Sequence, residues 1–124
     1  MIGKHLIIDM YDVEPGRLAD AVFLRDVLAE ATAASGLRPL AEPVVAPFAA
    51  RPGCAASPGV TGFVLLAESH IALHTYPEYG FAGVDVFTCG AAGDPQAVLR
   101  VFQERLMPTR VQAAEHARGA GVSR

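Results

Sequence analysis

The 124-residue chain carries 10 Lys or Arg against 13 Asp or Glu, for a formal net charge of −3. That length suits one domain with its own core, and the absence of a basic cluster argues against a nucleic-acid partner. No apolar run reaches the roughly 18–20 residues of a membrane span, and Met1 to Asp9 lacks the layout of a secretory signal, so a cytoplasmic protein with no membrane partner is expected.

His5 to Asp12 reads as a strand, with Leu6, Ile8 and Met10 on one face and His5, Ile7, Asp9 and Tyr11 on the other. Pro15-Gly16 breaks it. Arg17 to Ser35 then repeats Ala21, Leu24, Leu28 and Ala31 at helical spacing, with Asp20, Asp26 and Glu30 on the polar face and Gly36 as the stop. Leu37 to Phe48 holds a second strand, and Pro39, Pro43 and Pro47 confine it to an edge. Ala49 to Gly59 is a Pro/Gly/Ala-rich loop, long enough to suggest function or mobility.

Three apolar strands follow at Val60–Ala67, Ile71–Tyr76 and Ala82–Cys89, and Pro77-Glu78-Tyr79-Gly80 turns between the last two. Their tight spacing predicts antiparallel hairpins. Asp94-Pro95 opens a second helix, whose buried stripe is Val98, Phe102 and Leu106 and which Pro108 ends. Arg110 to Glu115 is a last short strand, and Gly119 starts a frayed tail.

The sum is an α+β fold: a two-layer sandwich of an antiparallel sheet with two helices on one face. The chain is 52% hydrophobic, and several strands are apolar on both sides. The second sheet face is therefore expected to be covered by the sheet of a second subunit, giving a four-layer α-β-β-α dimer.

Residues able to carry chemistry concentrate between Glu68 and Cys89: Glu68, Ser69, His70, His74, Glu78, Asp85 and Cys89. Each has a bland reading. Ser69 and His70 could simply turn a hairpin, His74 could be a satisfied core histidine, and Cys89 a small buried hydrophobe. Asp85 on a strand is harder to dismiss, because a buried carboxylate needs a partner. Alternation puts Ala72, His74 and Tyr76 on the face of His70, and Gly83, Asp85, Phe87 and Cys89 share a face of the next strand. A hairpin turning near Tyr79 brings Ser69 and Cys89 to one end of the sheet, so a nucleophile, a base and a thiol acid are expected to converge. A metal is not expected, since His70 and His74 lie about 13 Å apart on a strand. A hydrolase built from Ser69, His74 and Asp85 is thinkable, but there is no Gly-x-Ser-x-Gly elbow. Cys54 and Cys89 form no disulfide framework.

Glu68-Ser69-His70, His74-Thr75-Tyr76-Pro77-Glu78-Tyr79-Gly80 and Asp85-Val86-Phe87-Thr88-Cys89-Gly90 together resemble the small prokaryotic S-adenosylmethionine decarboxylase proenzymes. Gly3-Lys4-His5-Leu6, Gly59-Val60-Thr61-Gly62 and Glu115-His116-Ala117-Arg118-Gly119 are also similar, so the resemblance runs from about residue 3 to 119. It implies that the chain cleaves itself between Glu68 and Ser69, into a 1–68 β chain and a 69–124 α chain. Ser69 becomes a covalent pyruvoyl cofactor, with no metal and no PLP, that forms a Schiff base with the substrate amine. His74 is then the processing base, Thr61 stands where the family has an assisting serine, and Cys89 is the acid that protonates the product. The resemblance further implies a homodimer of processed αβ units with sites between subunits, in polyamine (spermidine) synthesis.

The sequence departs from the family ahead of Gly59, where aromatic residues around a His and a basic residue hold the adenine and sulfonium. Only Phe48 stands there, and Tyr11, Phe63 or Phe81 are the candidates to compensate. S-adenosylmethionine is the first substrate expected. Arginine or ornithine is the alternative, with Glu78, Asp9 or Asp85 to receive a cationic side chain. A non-catalytic regulatory paralogue is a third reading, against which Ser69, His74 and Cys89 stand together.

Overall fold

The computed structural model describes residues 1–49 and 58–122; Cys54 and most of the loop expected over 49–59 lie outside them. In chain order the elements are β1 (Gly3–Tyr11), α1 (Pro15–Leu18), α2 (Ala21–Ser35), β2 (Val44–Phe48), β3 (Gly59–Leu66), β4 (Ser69–Tyr76), a 3-10 turn (Pro77–Tyr79), β5 (Phe81–Cys89), α3 (Pro95–Leu106) and β6 (Arg110–Arg118). The six strands form one antiparallel sheet in the order β2-β3-β4-β5-β1-β6.

Strand alternation decides the layers. Leu6, Ile8 and Met10, then Val60 and Val64, Ile71 and Leu73, and Val84 and Val86 are fully or almost fully buried on one face. Against them pack Leu24, Val27, Leu28 and Ala31 of α2 and Val98, Phe102 and Leu106 of α3. Gly62 lets α2 sit close, since a Cβ there would come within 2.9 Å of Leu28 Cδ1 and 3.1 Å of Val45 Cγ1. Thr75, fully buried on this face, is satisfied: its hydroxyl donates to the Leu18 carbonyl at 2.7 Å and accepts from the Val60 N–H at 2.8 Å.

Three local differences from the sequence reading have simple causes. The helix expected over Arg17–Ser35 is two helices. Glu14 caps the short α1 by accepting from the N–H groups of Gly16 and Arg17, and Asp20, expected on a polar face, instead caps α2 by accepting from the Phe23 N–H at 3.0 Å. The last strand runs to Arg118 rather than Glu115, because β1 pairs with it along its whole length, from Tyr11↔Arg110 to Gly3↔Arg118. The edge strand begins only at Val44, preceded by a single bridge, Pro39↔Leu66. Asp94 caps α3 with Pro95 in its first turn, and Met107 ends it in the left-handed region.

Among the described residues, no helix covers the opposite sheet face. Ile7, Val44, Phe48, Phe63 and Leu65 are exposed on it in the single chain.

Candidate active site

Two groups of residues lie at opposite ends of the sheet. The first is at the β3–β4 turn. Leu66 pairs with Ser69, so Ala67 and Glu68 form a two-residue turn, and Glu68 sits in the left-handed region at φ 61°. A non-glycine residue is uncommon there. Ser69 follows immediately, and its hydroxyl oxygen is buried with no hydrogen-bond partner among the described residues. Pairing of His70 with Phe87 brings Glu68 level with Cys89, whose thiol donates to Glu68 Oε2 at 3.2 Å. That hydrogen bond, then burial, then the carboxylate's charge raise the Cys89 pKa above its ordinary value, with the Gly90 backbone opposing. A cleft of about 510 Å³ opens there, lined by Met1, Ile2, Glu68, Cys89, Gly90 and Val122.

The second group surrounds His74 on the bare face. Thr61 pairs with His74 across β3 and β4, and its hydroxyl is 3.2 Å from His74 Nδ1. Near this end Tyr11 and Tyr76 flank Phe81, with ring centroids 5.4 and 5.8 Å away. Arg110 stacks on Tyr11, whose hydroxyl donates to Gln112. Phe48 covers Gly59, where a Cβ would come within 2.5 Å of its ring. Gly83, opposite His74, leaves the floor without a side chain. Asp85 is exposed between the two groups, opposite Ala72 and Ile7, with Phe63 beyond Ala72. Glu78 is exposed in the 3-10 turn.

The expected convergence of Ser69, His74 and Cys89 does not occur within one chain. Five residue steps along the strand separate Ser69 from His74, roughly 16 Å at about 3.3 Å per residue. Odd and even positions also face opposite ways: Ser69 alternates with Ile71 and Leu73 toward the helices, and His74 points to the bare face. A Ser69–His74–Asp85 triad within one chain fails for the same reason. Ser69, Glu68 and Cys89 do share one end of the sheet. Among the described residues no three His, Cys, Asp or Glu side chains are grouped to hold a metal, and no helix is long and apolar enough to cross a membrane.

A third cluster was not singled out in the sequence. His5, Phe87 and His70 form one row across β1, β5 and β4, with centroids 5.6 to 6.0 Å apart. Arg118 Nη1 is 2.9 Å from His5 Nδ1. A guanidinium only donates, so His5 Nδ1 accepts and the ring proton sits on Nε2, which is buried without a partner among the described residues. Burial lowers the His5 pKa; Asp85 opposes this, and Arg118, His70 and His116 add to it. The signal lay in the His5–Tyr11 alternation, but the row depends on β1 pairing with β5, some eighty residues away.

The family model of S-adenosylmethionine decarboxylase matches residues 4–119. The chain belongs to this family. It is 42% identical over 110 residues to an S-adenosylmethionine decarboxylase proenzyme of Parasynechococcus marenigrum, covering 89% of this chain and 80% of that one. A proenzyme of the same name from Pyrobaculum islandicum is 37% identical over 113 residues, covering 91% and 85%. Among solved structures, the adenosylmethionine decarboxylase of Aquifex aeolicus superposes with a TM-score of 0.77 at 32% identity, covering 95% of this chain and 91% of that one. Members of the family are pyruvoyl-dependent decarboxylases, and the α+β architecture agrees with theirs.

Proposed function

We propose that the chain is one domain that cuts itself between Glu68 and Ser69 and then decarboxylates S-adenosylmethionine for polyamine synthesis in the cytoplasm. The observation that carries this is the buried, unpartnered Ser69 hydroxyl directly after the left-handed Glu68. An uncommitted hydroxyl beside a strained turn suits an internal nucleophile. Ser69 Oγ attacks the Glu68 carbonyl carbon, and the C–N bond breaks as the C–O bond forms. Removal of the Ser69 α-proton then expels the Glu68 carboxylate. Water completes the conversion of residue 69 to a pyruvoyl end with loss of ammonia.

The pyruvoyl group supplies an electron sink for the charge left when carbon dioxide departs. The chain's own residues do the rest. The Cys89 thiol delivers the proton to the substrate carbon that lost carbon dioxide. The base for processing is His74 of a second copy, held by Thr61, because His74 of the same chain is too distant. Two copies packed through their bare faces bury Ile7, Phe63 and Leu65, form the four α-β-β-α layers, and set the Ser69–Cys89 end of each against the His74 end of the other. The aromatic rings of Phe48, Tyr11 and Phe81 at that second end suit an adenine ring and a sulfonium. The assay is release of carbon dioxide from carboxyl-labelled S-adenosylmethionine, arginine and ornithine. Release from S-adenosylmethionine alone is expected; release only from arginine or ornithine overturns the substrate.

A further inference from the structure

We propose that Glu68, beyond lending its carbonyl to the cleavage, is a positioning residue that holds Cys89 in its protonated form by accepting the thiol hydrogen across the end of the sheet. This rests on the reading of Cys89 as proton donor. The contact is built by backbone register: the His70↔Phe87 pair brings Glu68 level with Cys89, and the left-handed turn at Glu68 delivers the carboxylate 3.2 Å from the sulfur. The turn is anchored, since the Ala67 N–H donates to the Arg38 carbonyl at 3.0 Å and Leu66 pairs with Ser69. Glu68 therefore stays tied to the sheet through β3 when its own carbonyl becomes a chain end.

A donor is useful only if it holds its proton before the carbon needs it. Of the groups around Cys89, Met1 lines the same cleft, and Arg118, one strand beyond Gly3, lies 5.0 Å over Phe87 and bonds His5. The influence that draws the thiol toward thiolate is the Gly90 backbone. The Glu68 carboxylate opposes it, and the raised thiol pKa agrees with its prevailing. In turnover the S–H bond breaks as a C–H bond forms on the decarboxylated carbon. The thiolate left beside a carboxylate is disfavoured and regains a proton from solvent, which resets the donor.

The test uses the intact chain, so that failure of self-cleavage does not obscure it. In a Ser69→Ala, Cys54→Ser background, iodoacetamide alkylation of Cys89 is followed against pH, with and without Glu68→Gln. Removal of the charge is expected to lower the thiol pKa and so speed alkylation at pH 7 about tenfold. An unchanged or higher pKa overturns the proposal. If Glu68→Gln does not fold, the same titration of the background chain, native against denatured, decides. A native pKa above the denatured one is expected, and one at or below it overturns the proposal. In the processed enzyme, Glu68→Gln is expected to increase misprotonation, read as inactivation per turnover. A wild-type chain that never cleaves would sink the decarboxylase reading while leaving the thiol titration to stand by itself.

Discussion

If His74 serves the Ser69 of a second copy, two defective chains should repair one another. Ser69→Ala keeps His74 but has no nucleophile; His74→Ala keeps Ser69 but lacks the base. The roughly 16 Å along β4 between the two positions far exceeds the approximately 3 Å that proton transfer requires. His74→Ala alone is therefore expected to remain intact. Co-expressed in equal amounts, the two chains should pair at random in a two-fold dimer, placing about half of the His74→Ala chains beside a Ser69→Ala partner. In that mixed dimer the working Ser69 and the working His74 meet at one site. Intact-mass analysis should then show about half of the His74→Ala chains cleaved, and none of the Ser69→Ala chains. Cleavage of His74→Ala by itself, or none in the mixture under conditions where wild type processes, refutes the shared site.

Cys89→Ala should cleave like wild type but lose most turnover, because the serine chemistry does not use the thiol; fragment masses beside labelled carbon dioxide release check this, and full activity removes Cys89 from the mechanism. Gly62→Ala should cost about 1–3 kcal/mol, since a methyl group there meets Leu28 and Val45; an unchanged urea midpoint would mean that α2 moves aside freely. His5 is kept neutral when folded by its lowered pKa, so below the ordinary histidine value of about 6.5 the unfolded chain binds the extra proton first. Its contribution to stability is thus complete above about pH 6.5 and is lost as pH falls through the folded pKa. The melting temperature should fall from pH 7.5 to 5.5, and His5→Gln should flatten that fall; an equal slope in both proteins would assign the effect to other groups.

Local chemistry made much of the fold legible. Period-two alternation gave both faces of His5–Tyr11 and of Gly83–Cys89, and the Asp94-Pro95 cap gave the start of α3. Asp20 was misread because one residue can be a polar helix position or an N-cap, and only the backbone decides. Strand order was not legible: β1 inserts between β5 and β6, a long-range choice made by packing. The candidate site was half readable. Spacing put Ser69 and Cys89 at one end of the sheet, yet the same alternation, applied from Ser69 to His74, gives both the distance and the reversed face that keep them apart. The His5–Arg118 contact needs register between strands at the two ends of the chain, so no local pattern announces it, and the Glu68–Cys89 contact needs the left-handed backbone at Glu68 as well as the hairpin.

The most direct test of the account is the denatured intact mass of the purified protein. Self-processing predicts two fragments divided between Glu68 and Ser69, the second lacking a free amine and carrying the mass of a pyruvoyl end. A single uncut chain after prolonged incubation with S-adenosylmethionine would contradict it.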